Sequence, residues 1–347
     1  MMTTTTTKYP AQVDVAVLLI FFTRTTTLTR TFAAIKQARP SHLYLYQDGP
    51  RDERDKANIE ACRKIVADDQ IDWQCDVQRN YHDENSGAFA SNYKAQKWAF
   101  SLSDKCIVIE DDSTPAVSFF RFCKELLDRY EHDERVGMIA GFNHEEESRD
   151  VPYDYFFTSV FSIWGWASWR RVVDQWDGDY SVVDDPFNMH QLETVTREHR
   201  DRIEMLKKVR AHHRLHKPIY ESVFWSCLAL NSCLAIVPTR NMIANSGVNE
   251  DAAHFSSSMQ TQPRRLRQLY TMKSHEVQFP LKHPRYVIEN VDYKRRVSKI
   301  MAWGHPWIKV GRSLEELWLN LRHGNLAAVG KALAHRVKKL EGKDNYD

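Results

Sequence analysis

An α/β fold built on a mostly parallel sheet is what this 347-residue chain predicts, and three observations predict it. Apolar runs of strand length alternate with charged amphipathic segments of helical length through the first third, the pattern of βαβ units. Three of those runs stop abruptly in polar residues, as strands do where a sheet opens onto a crevice. A hydrophobic content of 42% is enough for one large core or two smaller ones.

Taken in order, "MMTTTTTKYP" opens a polar, low-complexity segment, residues 1–12, expected to fray. "VDVAVLLIFF" reads as a buried strand; its apolar run is far short of the roughly 20 residues of a membrane helix. "TLTRTFAAIKQA" follows as a helix, and "HLYLYQDGP" as a strand ending in a turn. "RDERDKANIEACRKIVADD" is an amphipathic helix with Ile59, Cys62, Ile65 and Val66 on one face; "DWQCDV" is a short strand. "GAFASNYKAQKWAFSLS" is the next helix and "CIVIEDD" the fourth strand.

The second half is less regular. A helix, "SFFRFCKELLDRYEHD", leads to a short strand, "GMIAGFN", then to a loop rich in acids and aromatics and to "VFSIWGWASWRRVVDQWD". One charged helical stretch over residues 192–214 is expected, then a buried helix "YESVFWSCLALNS", a strand "CLAIVP", and "NMIANSGVNEDAAHF". With no internal repeat and no long linker, one body over residues 13–293 with a C-terminal helical extension over 294–347 is the simplest organisation.

A net charge of +2 argues against a dedicated nucleic-acid binder. The extension nonetheless holds 12 Lys/Arg against 5 Asp/Glu, a net of +7, which leaves the rest of the chain at −5. Six cysteines, mostly in apolar stretches, form no CxxC pair and follow no secretory signal, so reduced thiols and a cytoplasmic setting are expected.

Parallel βαβ connections are right-handed, and ligands gather beyond the carboxyl ends of the strands. The three polar tips, Thr23-Arg24, Asp48-Gly49-Pro50-Arg51 and Glu110-Asp111-Asp112, should therefore line one crevice. No glycine-rich loop follows the first strand, so any phosphate must be held another way. The three adjacent acids need a cation, since burying any of them unpaired costs several kcal/mol, on the order of 3–5. Two readings stand: the acids cap the next helix and pair with a nearby Arg or Lys, or a divalent ion, Mn2+ or Mg2+, bridges them to a nucleotide pyrophosphate.

"IVIEDDSTPAVSFFRFCKELLDRY", "VGMIAGFN", "FSIWGWASWRRVVDQWD" and "NMIANSGVNEDAAHF" come in an order that resembles GT-A fold glycosyltransferases of the bacterial hemolytic-protein-like group. The set is also distantly similar to the N-acetylglucosaminyltransferase I type. "LIFFTRTTTLTRTFAAI", "LYLYQDGPR" and "NSGAFASNYKAQKWAF" fit the same group, so the resemblance spans about residues 13–290. It implies a GT-A, Rossmann-like fold and sugar transfer from a nucleotide-sugar, UDP-linked by preference, to a glycan or glycolipid acceptor in bacterial surface polysaccharide synthesis. By position it implies donor contacts at Thr23, Arg24, Asp48, Gly49, Arg51, Asn85, Glu110 and Asp111, with Asp112 and His254 at the metal.

An inverting transfer needs a base for the acceptor hydroxyl. Glu221, leading the helix of "YESVFW", is the candidate, with Asp177 and Glu250 in reserve; the competing role for Glu221 is interaction with the helix dipole. "WGWASW" offers Trp164, Gly165 and Trp166 as a sugar platform, or else a folding core. His212, His213 and His216 sit among basic residues that would repel a metal, leaving a helix end or an anion clamp. In the tail, Leu314, Leu317, Trp318 and Leu321, then Leu326, Val329, Leu333, Val337 and Leu340, recur at helical spacing beside Lys and Arg, for packing on the body, on a partner, or at the inner face of a plasma membrane. The rival readings are a nucleotidyltransferase, disfavoured by the missing glycine-rich loop, and a non-catalytic carbohydrate- or partner-binding protein.

Overall fold

The computed structural model describes residues 8–198, 203–245 and 259–325. Its strands are β1 (Val13–Phe21), β2 (Pro40–Gln47), β3 (Asp76–Tyr81), β4 (Lys105–Glu110), β5 (Ser113–Pro115), β6 (Val136–Ala140), β7 (Tyr155–Thr158), β8 (Trp166–Trp169), β9 (Leu234–Pro238) and β10 (Ile243–Asn245). Its helices are α1 (Thr25–Ala38), α2 (Glu53–Ile65), α3 (Ala88–Leu102), α4 (Ser118–Arg129), α5 (Arg170–Val173), α6 (Pro186–Glu198), α7 (Ile203–Leu215), α8 (Tyr220–Leu230), α9 (Arg264–Thr271), α10 (Val291–Met301) and α11 (Pro306–Arg322).

Eight strands form one sheet in the order β3-β2-β1-β4-β8-β6-β9-β7. Strands β3, β2, β1 and β4 are parallel to one another. β8 is antiparallel to both β4 and β6, so β6 runs with β4; β9 is parallel to β6, and β7 closes the edge antiparallel. The sheet is thus mostly parallel, as expected, and helices flank it. Burial explains the sequence pattern: from Val15 to Phe21 every residue of β1 is buried, the continuous apolar run of a strand covered on both faces. Helix α4 turns Phe119, Phe120, Phe122, Cys123, Leu126 and Leu127 into the core. Helix α2 begins where Asp52 Oδ1 accepts from the Arg54 N–H at 2.9 Å.

Several local expectations change. The third strand lies at Asp76–Tyr81, past most of "DWQCDV", because Trp73 is drawn into the core and donates its indole N–H to the Pro40 carbonyl at 2.8 Å. Tyr9 forms a parallel bridge with Trp73, so residues 8–12 are held against the body and do not fray. The acidic, aromatic segment before "VFSIW" is no plain loop, since it contains β7. The single helical stretch expected over 192–214 is two helices, α6 and α7. The expected boundary between residues 293 and 294 falls inside α10, where Tyr293 and Val297 belong to the main core and the Tyr293 hydroxyl bonds His144. All six cysteines are free and four are buried; burial pushes the Cys62 and Cys227 thiols up to about 12. Among the described residues no helix is long and apolar enough to cross a membrane.

Candidate functional site

Strand β1 sits between β2 and β4, so the carboxyl ends of all three adjoin, and Ile20 pairs with Glu110 at the last register position. The chain after β4 stays tied to β1: the Asp111 N–H donates to the Ile20 carbonyl at 2.9 Å and the Phe22 N–H to Asp111 Oδ2 at 3.3 Å. Thr31 on α1 holds the Asp111 carbonyl at 3.0 Å. Arg24, the residue before α1, then reaches both acids, with Nη2 at 3.0 Å from Asp111 Oδ1 and Nη1 at 3.1 Å from Asp112 Oδ2. The cation that the three acids require is therefore supplied from the first strand tip.

The acids are not equivalent. The Asp111 side chain is 3% exposed and that of Asp112 is 17% exposed, so of these two Asp112 reaches solvent, and Glu110 is partly exposed as well. Burial pushes Asp111 up to about 7, against the pull of Arg24 and with the charge of Asp112 adding to it. Glu110 is likewise raised to about 7 by burial first and Asp112 second, while a hydrogen bond from the Tyr220 hydroxyl at 2.7 Å favours its charged form. For Arg24, burial disfavours the charge, but Asp111, Asp112 and Glu110 together outweigh it and its pKa is raised. The cluster stores a carboxylate repulsion that one guanidinium only partly offsets.

Tyr220 was not singled out in the sequence. It opens α8, is buried, and hands its hydroxyl to an acid 110 positions away. Its one sequence signal is its place just before Glu221. Glu221 itself pairs with Lys208 Nζ at 3.3 Å and is about a third exposed at 35%. Asp177 accepts from the Ser181 N–H and hydroxyl, which fixes a turn.

At the second tip, Asp48 is spent inside the protein. Its carboxylate accepts from the Ser86 N–H, 3.0 Å from either oxygen, and from the Gly87 N–H at 3.0 Å; Asn85 Nδ2 donates to the Gly49 carbonyl at 2.7 Å. A Cβ at Gly49 would lie 2.4 Å from the Glu84 backbone, so this close approach requires glycine. Asp48, Gly49 and Asn85, expected at the donor, together clamp the loop before α3. Arg51 pairs with Asp55 at 2.8 Å and lies over the Phe22 ring at 5.2 Å, while Thr23 is half-buried beside Arg24.

Trp164 and Trp166, two positions apart, would share a face in a regular strand, but Trp164 precedes β8 and Gly165 between them is in the left-handed region, so the two divide. Trp166 is fully buried, stacked on Phe100 at 6.1 Å and packed on Phe224 at 4.8 Å, so it is core and no sugar platform. Trp164 is half-buried and meets Phe142 at 4.8 Å and Tyr270 of α9 at 5.1 Å. Burial raises Tyr270 to about 12, and Asp112 adds to that shift, which sets this aromatic wall on the acid side of the site. Gly165 takes φ +61°, and a Cβ there would strike Ile243 of β10 at 2.5 Å. β10 pairs antiparallel with β5, Asn245 opposite Ser113, next to Asp112.

His254 and Glu250 lie outside the described residues. Among the described residues no three His, Cys, Asp or Glu side chains gather to hold a metal. His212 bonds the Ser222 hydroxyl at 2.8 Å and His213 the Asp179 carbonyl at 2.8 Å, so these two pin α7 to its surroundings.

No family model and no curated protein matches this chain. Among solved structures it is similar to a mannosyltransferase from Pyrobaculum calidifontis in complex with GDP-Man and Mn2+, at 12% identity over 47% of this chain and 46% of that one, with a TM-score of 0.33. The chain thus spans less than half the length of that enzyme. It is similar also to mouse xyloside xylosyltransferase 1 in its apo form, at 9% identity over 64% and 84% of the two chains, TM-score 0.34. A UDP-glucose pyrophosphorylase complexed with UDP-glucose aligns at 8% identity over 47% and 78%, TM-score 0.30.

Proposed function

We propose that the chain is a metal-assisted glycosyltransferase of GT-A type that moves a sugar from a nucleotide-sugar, UDP-linked by preference, to a glycan or glycolipid acceptor of a bacterial surface polysaccharide. The observation that carries the reading is the cluster of Glu110, Asp111 and Asp112 around Arg24, at the carboxyl edge where β2, β1 and β4 end. Helix α1 starts at this point without an acid in its first turn, so its free N–H groups suit a phosphate where a glycine-rich loop is missing. The donor chemistry fits a hard divalent ion: Asp112 offers carboxylate oxygen within reach of solvent, and Mg2+ or Mn2+ is commonly held by one or two carboxylates plus substrate phosphates. Asp112 would hold the ion, with His254 as a further ligand. Bound there, it would neutralise charge on the departing diphosphate.

The chain's own residues do the rest. Arg24 keeps Asp112 oriented and lends a second positive charge to the diphosphate side. Tyr220 fixes Glu110 through its hydroxyl, and so couples α8 to the acidic tip. Glu221, next in α8, is the base for the acceptor hydroxyl in an inverting reaction, and its pairing with Lys208 holds it in place. Trp164 and Tyr270 form the wall on which a sugar ring can stack.

A panel of UDP-, GDP- and dTDP-sugars, each with and without Mn2+, tests the reading by thermal shift, because a ligand that binds only the folded state raises the melting point. A metal-dependent rise with one nucleotide, abolished in Asp112→Ala while the unliganded melting curve keeps its cooperativity, is expected. Binding of nucleotide equally well without metal and in Asp112→Ala would remove the ligand assignment.

A further inference from the structure

Helix α11 exposes an apolar stripe that includes Leu314, Trp318 and Leu321 of the spacing read in the sequence. Trp307 is 85% exposed, Val310 50%, Leu314 59%, Trp318 55% and Leu321 50%. At 100° per residue these five positions fall within an arc of about 80°, and they run about 21 Å along the helix. The opposite side is fastened down. Leu319 and Asn320 are buried, Arg312 Nη2 donates to the Met301 carbonyl at 3.3 Å, and Glu315 Oε1 accepts from the Arg264 N–H at 2.9 Å. The stripe therefore faces away from the body along its whole length. Arg322 lies over the Trp318 ring at 5.1 Å, placing a cation at the edge of the patch.

We propose that this face of α11 lies on the surface of an anionic phospholipid bilayer, with the two tryptophans and the aliphatic side chains at the level of the headgroups. Two features select lipid over a second protein chain. Both large aromatics are tryptophans, whose indole suits an interface that is apolar on one side and wet on the other. The charge also has the matching sign: residues 294–347 carry a net of +7 in a chain whose remainder is −5. While Lys294, Arg295 and Arg296 pair with acids of the body, exposed Lys299, Lys309 and Arg322 set cations on and beside α11. This surface is separate from the acidic site and stands whatever reaction that site performs.

The test is co-sedimentation of the full chain with vesicles of phosphatidylglycerol and phosphatidylcholine in equal parts, against vesicles of phosphatidylcholine alone. The full chain should sediment with the anionic vesicles, weakly or not at all with the neutral ones, and less as salt rises. Combining Trp307→Ser, Leu314→Ser and Trp318→Ser, all at exposed positions, should leave the melting curve in place and weaken vesicle binding at least tenfold. No binding to anionic vesicles overturns the proposal, as does equal binding by the triple variant. Dimerisation of the full chain that the triple variant abolishes would assign the stripe to a second copy instead.

Discussion

Replacing Asp111 by Asn should stabilise the protein at neutral pH and do almost nothing at pH 4. Asp111 has its folded pKa raised from 3.8 to about 7 by burial, only partly countered by Arg24. Below the unfolded value both states are protonated and nothing is lost. As pH climbs through the window from about 4 to 7 the unfolded chain gives up its proton while the folded chain keeps it, and stability falls. Three units at about 1.4 kcal/mol each give a loss of roughly 4 kcal/mol, complete by about pH 7. Because the side chain is 3% exposed, solvent does little to reduce that figure. Asn mimics the protonated form and still offers Arg24 a carbonyl oxygen. Urea unfolding of wild type and Asp111→Asn in chelator-containing buffer at pH 4.5, 6 and 7.5 measures the difference, which should grow from under about 1 to about 2–4 kcal/mol. Taking the difference cancels the histidines and the acids whose pKa is lowered. A gap that stays flat across the three pH values would refute the electrostatic picture of the strand tip.

Tyr220→Phe removes the donor to Glu110 and should cost about 1–3 kcal/mol, while pushing Glu110 still higher; the acid limb of any donor-binding pH profile should move upward, read by binding titrations at several pH values. Trp166→Ala should lose about 3–5 kcal/mol by opening a cavity among Phe100, Phe224 and Trp176. Trp164→Ala, on the half-buried side, should cost less and weaken acceptor binding with donor binding intact, which unfolding curves and acceptor KM separate. Glu221→Gln should keep donor affinity and lower transfer by about 10²-fold or more, measured as initial rate; full activity would place the base elsewhere or indicate retention of configuration.

What the sequence by itself determined was local. A run such as "VAVLLIFF" has no polar position to offer solvent, so it must be a covered strand, and the alternation with amphipathic helices leaves a mostly parallel sheet as the consistent outcome. The carboxyl tips of β1, β2 and β4, and the need of the acids for a cation, were legible for the same reason: each depends on a window of a few residues. What only the tertiary structure decided was pairing across long separations. Arg24 meets Asp112 over 88 positions and Tyr220 meets Glu110 over 110, contacts that exist because β1 adjoins β4 and α8 begins at the same edge. The left-handed Gly165 ahead of β8 separates Trp166, turned into the core, from Trp164, left beside Tyr270; in a regular strand the two would share a face, so only the fold decided their division. That Asp48 holds the loop at residues 85–87 was likewise decided only when that loop arrived with N–H groups to satisfy. Side-chain partners are set by where the whole chain brings its surfaces together, and no local periodicity encodes that.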